Sequence, residues 1–393
     1  RPHALRHDGW IEEDPRPYDP ADDDHRGGEE AEAAGVGDGG SHGLDSAPGP
    51  PLAKGRARTA YSFPMPLLLT EADVAHCLDM ASLIPLMRET LACFSRGEAR
   101  QPVRQSLTVR PAGGFYGVMP AHVPPMDGRP GALGLKSVSF YPRNDELGLP
   151  THLATILLLD PDTGGLEAIV DGRLITELRT AAVSAVSVEL LARRGPATLA
   201  LIGAGVQARS HLEAIALVRP LVEVRVWSRK EATAWRFAGD MQGRVSCAIR
   251  PMASVRDAVH GATLVVTACS AVEPVFEGAW LEPGMHLCVV GSSSPKMREV
   301  DTETVLRSRV FIDSREAGAA EAGDLLIPVK EGRYNLDRIV AELGEVADGK
   351  AGRASADEIT LFKSLGLGVE DLAAARLAVE RARERGIGKT IEV

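Results

Sequence analysis

Three positive side chains stand among residues that would not normally share a core with a charge. Arg104 follows Pro102, Lys136 lies inside Gly134-Leu135-Lys136-Ser137-Val138, and Arg179 sits within Leu178-Arg179-Thr180-Ala181-Ala182. A lysine inside an apolar-flanked strand is rarely buried without a partner. Brought together, such cations would cradle a carboxylate, with arginine supplying paired donors. Kept apart, each is an ordinary surface or ion-paired residue, and spacing alone leaves both readings open.

A second constellation concerns phosphate. Residues 199–202 form a short apolar run bounded by Gly195-Pro196 and Gly203, which reads as a buried parallel strand. Gly203-Ala204-Gly205-Val206-Gln207-Ala208 follows and runs into a helical pattern through His211, Leu212, Ala214, Ile215 and Leu217. Gly203 suits a tight turn, Gly205 lets a pyrophosphate approach a bare backbone at the positive helix end, and Ala208 permits close helix–strand packing. The pattern indicates a nucleotide cofactor. At the end of the next strand Arg225-Val226-Trp227 runs into Ser228-Arg229-Lys230, and no carboxylate stands there to bind a ribose 2′-hydroxyl. Glu223 comes too early in the strand, so NADPH is expected, with NADH possible. The alternative is that Arg229 and Lys230 form a solvated turn.

These residues need elements to hold them. A helix start is expected at Thr70 with Glu71 and Asp73, and a second helix over 83–96. Short β-like runs at 106–110, 114–119, 134–140, 152–159 and 166–170, separated by Gly and Pro, predict a meandering sheet. Thr176 is placed to cap a helix over 177–193. Strands at 199–202, 223–227, 246–250, 264–268, 286–290 and 310–313 alternate with helices, the pattern of a doubly wound α/β sheet. Helix is expected again at 357–361 and 369–385.

Composition excludes several functions. The net charge of -10 and the lack of basic stripes argue against nucleic acid, and no apolar run is long enough to cross a bilayer. Cys77, Cys93, Cys247, Cys269 and Cys288 are scattered and odd in number, as in a reduced cytoplasmic protein. Residues 1–62 carry acidic runs such as Asp22-Asp23-Asp24, together with Pro48-Gly49-Pro50-Pro51, and are expected to be a disordered acidic tail. His3, His7, His25 and His42 are irregularly spaced. There is no zinc-type cluster, so no metal is expected, and no Gly-x-Ser-x-Gly elbow or Walker loop.

Five motifs together resemble one family. They are Tyr116-Gly117-Val118-Met119-Pro120-Ala121, the run Thr176-Glu177-Leu178-Arg179-Thr180-Ala181-Ala182-Val183-Ser184-Ala185, the glycine turn, Pro295-Lys296-Met297-Arg298-Glu299-Val300-Asp301, and Glu321-Ala322-Gly323-Asp324-Leu325. In this order they resemble the ornithine cyclodeaminase/mu-crystallin family. The resemblance implies a Rossmann dinucleotide-binding domain (186–345) inserted into an α+β substrate-binding and dimerisation domain (63–185 plus 346–393), in a homodimer. It also implies redox chemistry at an amino-acid α-carbon. Arg104 would clamp the substrate carboxylate, Lys136 would bind it or relay a proton to nitrogen, and Arg179 would bridge substrate and cofactor. Thr151, His152, Thr180, Gly203, Gly205, Val206, Gln207, Ser228, Arg229, Thr267, Ala268, Ser292 and Leu365 fall on cofactor-lining positions.

One departure separates subgroups. The cyclodeaminases resemble Gly-Gly-Asp-x-Pro where this chain has Gly291-Ser292-Ser293-Ser294-Pro295, so Ser293 replaces the working Asp. A hydroxyl of ordinary acidity cannot act as general base near neutral pH, and the ketimine reductase subgroup also lacks that Asp. The expected activity is an NAD(P)H-dependent reduction of an α-imino acid or ketimine, such as pyrroline- or piperideine-2-carboxylate or iminosuccinate. Extra cations such as Arg110 or Arg143 would favour a dicarboxylate. The alternatives are an alanine-type amino-acid dehydrogenase, an ornithine cyclodeaminase, and a non-catalytic NADPH-binding protein.

Overall fold

The computed structural model describes residues 65–110 and 112–392, so the expected acidic tail lies outside the described residues. Helix starts follow from their caps. The Thr70 hydroxyl accepts from the Asp73 amide while the Asp73 carboxylate accepts from the Thr70 amide, opening α1 (Glu71–Cys77) after β1 (Leu67–Leu69). Asp79 accepts from the Ser82 amide and opens α2 (Met80–Ser95). The β-like runs become β2 (Gln105–Val109), β3 (Gly114–Val123), β4 (Ala132–Phe140), β5 (His152–Leu159) and β6 (Leu166–Asp171), consecutive antiparallel neighbours. β1 lies parallel to β6 on its outer side.

Helix α3 (Arg173–Leu191) begins earlier than the sequence suggested. Gly172 is its N-cap, and Thr176 is not a cap: its hydroxyl donates back to the Gly172 carbonyl at 2.6 Å inside the first turn. Small residues Ala181, Ala182, Ser184, Ala185 and Ser187 are wholly buried, which lets α3 pack against helices on one side and the second sheet on the other. The expected domain boundary at 185/186 falls inside this helix.

The second half alternates as expected: β7 (Ala197–Ile202), α4 (Val206–Val218), β8 (Leu221–Trp227), α5 (Glu231–Met241), β9 (Ala248–Pro251), α6 (Val255–Val259), β10 (Leu264–Thr267), β11 (His286–Val289), α7 (Thr302–Arg307), β12 (Arg309–Ile312), α8 (Arg315–Glu321), α9 (Gly323–Lys330), β13 (Ala341–Glu342) and α10 (Leu343–Ala347). β14 (Thr360–Lys363), α11 (Gly368–Arg385) and β15 (Lys389–Thr390) complete the chain. The parallel sheet runs β13-β12-β14-β11-β10-β7-β8-β9. Two apolar clusters fill its two faces, and a third fills the antiparallel half. This is an α/β fold with a Rossmann-type parallel sheet.

The helix expected at 357–361 is a strand. β14 is buried throughout and lies between β11 and β12, so residues 360–363 belong to the parallel sheet rather than with the antiparallel half. A four-residue buried strand has too little sequence to show its period, and the slot between two parallel neighbours decides its state. Cys77, Cys93, Cys247, Cys269 and Cys288 are all free thiols. Among the described residues no helix is long and apolar enough to cross a membrane.

Candidate active site

The three cations converge. Arg104, Lys136 and Arg179 line one cavity of about 220 Å³ together with Met119, Val138, His152, Thr176, Thr180, Gln207, Ala268, Ser270, Ser293 and Leu365. One wall is the antiparallel sheet: Lys136 pairs in register with Met119 on β3 and Ile156 on β5, and Val138 lies two residues along the same face. The opposite wall is the carboxyl end of the parallel sheet, where dinucleotide folds bind their ligands. Among the described residues, none that lines the cavity carries a carboxylate.

Lys136 is only 2 % exposed. Burial pulls its pKa down to about 8 against the opposing charge of Asp371. Its Nζ lies 2.5 Å from Asp371 Oδ2 and donates to Thr176 Oγ1 at 3.3 Å. Arg179 is held by two carboxylates, Nε donating to Asp371 at 2.9 Å and NH1 to Glu370 at 2.7 Å. Burial would push the Asp371 carboxyl up, but Arg179 and Lys136 outweigh it and hold the group below its ordinary value. Glu370, equally buried, is pushed up to about 7.

Arg104 precedes β2 and reaches across to two loops of the other half. Its NH2 donates to the Leu365 and Gly366 carbonyls at 3.2 and 3.4 Å, and its NH1 reaches Ser293 Oγ at 3.5 Å. Glu321 stands 3.8 Å away. Its Nε is buried without a partner, so Arg104 keeps an uncommitted donor. Gly117 makes room for its stem: a Cβ there would lie 3.3 Å from Arg104 Cδ.

The loops that Arg104 meets are pinned from behind by buried charges that the sequence reading did not single out. Asp313, just past β12, accepts from the Leu365 and Gly366 amides at 2.5 and 2.8 Å. Lys363 donates to the Ser292 carbonyl at 2.5 Å and pairs with Asp324 at 2.9 Å. Glu299 accepts from the Cys269 and Gly291 amides, both at 2.6 Å. Burial lifts the Glu299 carboxyl to about 7 although Lys363 opposes it.

The residues present fit a dinucleotide. Gly203 has φ +119, and a Cβ there would lie 2.7 Å from the Ala268 carbonyl oxygen, so only glycine makes this turn without strain. Gly205 caps α4 with open space before it, and the first amides of that helix are free for an anion. Gln207 Oε1 and Thr267 Oγ1 are buried without partners beside the cavity. Val206 is half exposed on the first turn of α4, and Ser228 and Arg229 follow β8. Glu223 is committed to Arg225 and Arg250, each at 2.8 Å.

Some expected positions lie elsewhere. Ser292 is buried with its hydroxyl donating to the Met297 carbonyl at 2.9 Å, so Ser293, not Ser292, faces the cavity. Thr180 does line the cavity, its hydroxyl donating to the Thr176 carbonyl at 2.6 Å, whereas Thr151 lies outside the lining, 3.2 Å from His152 Nδ1. His152 keeps an exposed edge at the rim. Even so, desolvation by the surrounding protein, with help from the Lys136 charge, pushes its pKa down to about 4. Arg110 and Arg143 are exposed and do not line the cavity. Asp371 and Glu370 were missed. Their signal was two adjacent acids at the head of the Ala- and Leu-rich stretch that became α11.

Residues 65–386 match the model of the "Ornithine cyclodeaminase/mu-crystallin family". The chain is 41% identical over 319 residues to the ketimine reductase mu-crystallin of Mus musculus, covering 80% of this chain and 97% of that one. It is 35% identical over 328 residues to a Delta(1)-pyrroline-2-carboxylate reductase of Bacillus cereus, covering 83% and 99%. Among solved structures it is similar to the Thermococcus litoralis Delta(1)-pyrroline-2-carboxylate reductase in complex with NADH and L-proline, with TM-score 0.79, 39% identity, and coverage of 83% and 100%.

Proposed function

This chain belongs to the ornithine cyclodeaminase/mu-crystallin family, and from that premise we propose that it is an NAD(P)H-dependent reductase of α-imino acids that prefers NADPH and a substrate with a single carboxylate. The observation that carries the reading is the convergence of Arg104, Lys136 and Arg179 on one cavity whose lining, among the described residues, has no acid. Such a wall favours a carboxylate-bearing electrophile. It offers no carboxylate as general base for the elimination that a cyclodeaminase needs.

Each residue then has a task. Arg104 binds the substrate carboxylate, its Nε being the donor left without a partner. Arg179, whose Nε and NH1 are already engaged by Asp371 and Glu370, shapes the pocket between substrate and cofactor instead of taking a second carboxylate. This supports pyrroline- or piperideine-2-carboxylate over iminosuccinate. When bound, a reduced nicotinamide supplies the hydride that reaches the C=N carbon. Lys136, with a pKa near 8, is still mostly an ammonium at neutral pH, and its proton keeps the substrate nitrogen charged while the new C–H bond forms. Gly203, Gly205 and Gln207 seat the pyrophosphate end, and Ser228 and Arg229 suit a 2′-phosphate where no carboxylate competes.

A homodimer accompanies this reading. Leu107, Tyr116, Ser139 and Leu153 lie in register across β2 to β5 and therefore share one face, and both leucines are about half exposed. The five free thiols support a reducing, cytoplasmic setting.

The test is a panel of cyclic ketimine carboxylates, iminosuccinate and pyruvate with ammonia, followed by NADPH oxidation, with ornithine plus NAD as the contrasting pair. Turnover of the cyclic monocarboxylates, abolished in Arg104→Ala while NADPH binding persists, is the expected result. Release of ammonia and proline from ornithine, or undiminished turnover by the Ala variant, would overturn it.

A further inference from the structure

We propose that Asp371 is a positioning residue for the reduction: its buried carboxylate aims the Lys136 amine into the cavity and keeps that amine protonated. The inference rests on the reductase reading above. Nothing about Asp371 touches the cavity directly. It sits in the first turn of α11, wholly buried, on a helix packed against β3, β4 and β5.

The donor count of Lys136 makes the geometry specific. An ammonium has three N–H donors. One is taken up by the ion pair with Asp371, Nζ lying 2.5 Å from Oδ2. A second meets Thr176 Oγ1, which can only accept, because the Thr176 proton is already donated to the Gly172 carbonyl. The third is left for the cavity that Lys136 lines. The other oxygen of Asp371 holds Arg179 Nε at 2.9 Å, so one carboxylate sets two of the three cations.

The charge facing Lys136 explains why the acid is needed. Besides Asp371 on α11, the amine faces Arg179 on α3, Arg104 on the segment before β2, and the neutral His152 ring at the start of β5. Glu370 stands behind Arg179. Burial and both guanidinium groups favour the neutral amine, and Asp371 alone among these partners opposes them. Against burial, Arg179 and Lys136 keep Asp371 itself ionised.

The experiment compares kcat against pH for wild type, Asp371→Asn, Asp371→Glu and Lys136→Arg on one cyclic ketimine, with NADPH affinity measured by fluorescence on each variant. The kcat profile reports groups in the bound complex, and the substrate is common to all variants, so its own ionisation cancels in the comparison. Wild type should lose activity as the pH rises past the Lys136 pKa, and Lys136→Arg should lack that limb. Asp371→Asn should move the limb to lower pH by about one unit or more while still binding NADPH. Should the Asn variant not fold, Asp371→Glu cannot keep both contacts at their present lengths, and its limb must also move. A limb that stays in place while only its height falls would show that Asp371 merely packs, and would overturn the proposal. If Lys136→Arg keeps the limb, the proton role of Lys136 fails instead. If no imine is reduced by wild type, the reductase reading fails and the proposal falls with it.

Discussion

Replacing Gly366 by alanine should damage the site through one methyl group. Gly366 has φ +80, and a Cβ built there would lie 2.6 Å from both Arg179 NH1 and NH2. A flexible arginine tip would normally move aside, but this one is fixed by Asp371 at 2.9 Å and Glu370 at 2.7 Å, and the Gly366 amide is itself held by Asp313. The left-handed backbone costs alanine roughly 1–2 kcal/mol, and breaking one charged hydrogen bond of Arg179 costs about 1.5–3 kcal/mol. The sum is about 2.5–5 kcal/mol, which at about 2–4 °C per kcal/mol lowers Tm by on the order of 5–20 °C. Displacing Arg179 by about 1 Å should also lower kcat/KM roughly 100-fold. Thermal melts with and without NADPH, together with steady-state rates on a cyclic ketimine, measure both effects. A variant that melts within about 2 °C of wild type and turns over within about two-fold would refute the claim that Arg179 is immobile, because only a mobile guanidinium could yield to the methyl group at so small a penalty.

Two further outcomes are expected. Burial, with Arg353 and Arg219 nearby, holds His286 neutral with its pKa pushed down to about 3. A depressed pKa on a base gives stability that is present above the unfolded value of about 6.5 and is lost as the pH falls toward the folded one, at about 1.4 kcal/mol per pH unit. Urea denaturation of His286→Asn should therefore give a profile less steep than wild type between about pH 6.5 and 4, and parallel profiles would contradict the assignment. For the cofactor, Arg229→Ala should raise KM for NADPH about ten-fold, the value of one charge-assisted contact near 1.4 kcal/mol, and leave NADH unaffected. Equal losses with both cofactors would remove Arg229 from the 2′-phosphate.

Local patterns carried much of this protein. The glycine turn declared itself because Gly203 and Gly205 follow an apolar strand and precede an apolar helix, and those types at that spacing are required by the backbone itself. The meander and most of the parallel sheet were legible for the same reason, since those strands are apolar or alternating runs bounded by turn residues. The three cations could be singled out by their apolar neighbours, but not their convergence, because Arg104 meets Leu365 across 261 positions. Short elements were opaque: β14 has four residues and takes its state from β11 and β12.

What only the tertiary structure decided is the charge balance. Asp371 reaches Arg179 across 192 positions, and Asp313 reaches Leu365 across 52. No sequence window contains both partners. Whether a lysine is a surface ion pair or a buried acid poised near neutral pH depends on desolvation and on which carboxylates face it, and both are properties of packing rather than of order along the chain. The residue types were chosen by the sequence, while their acidity was set when α11 closed against β3, β4 and β5.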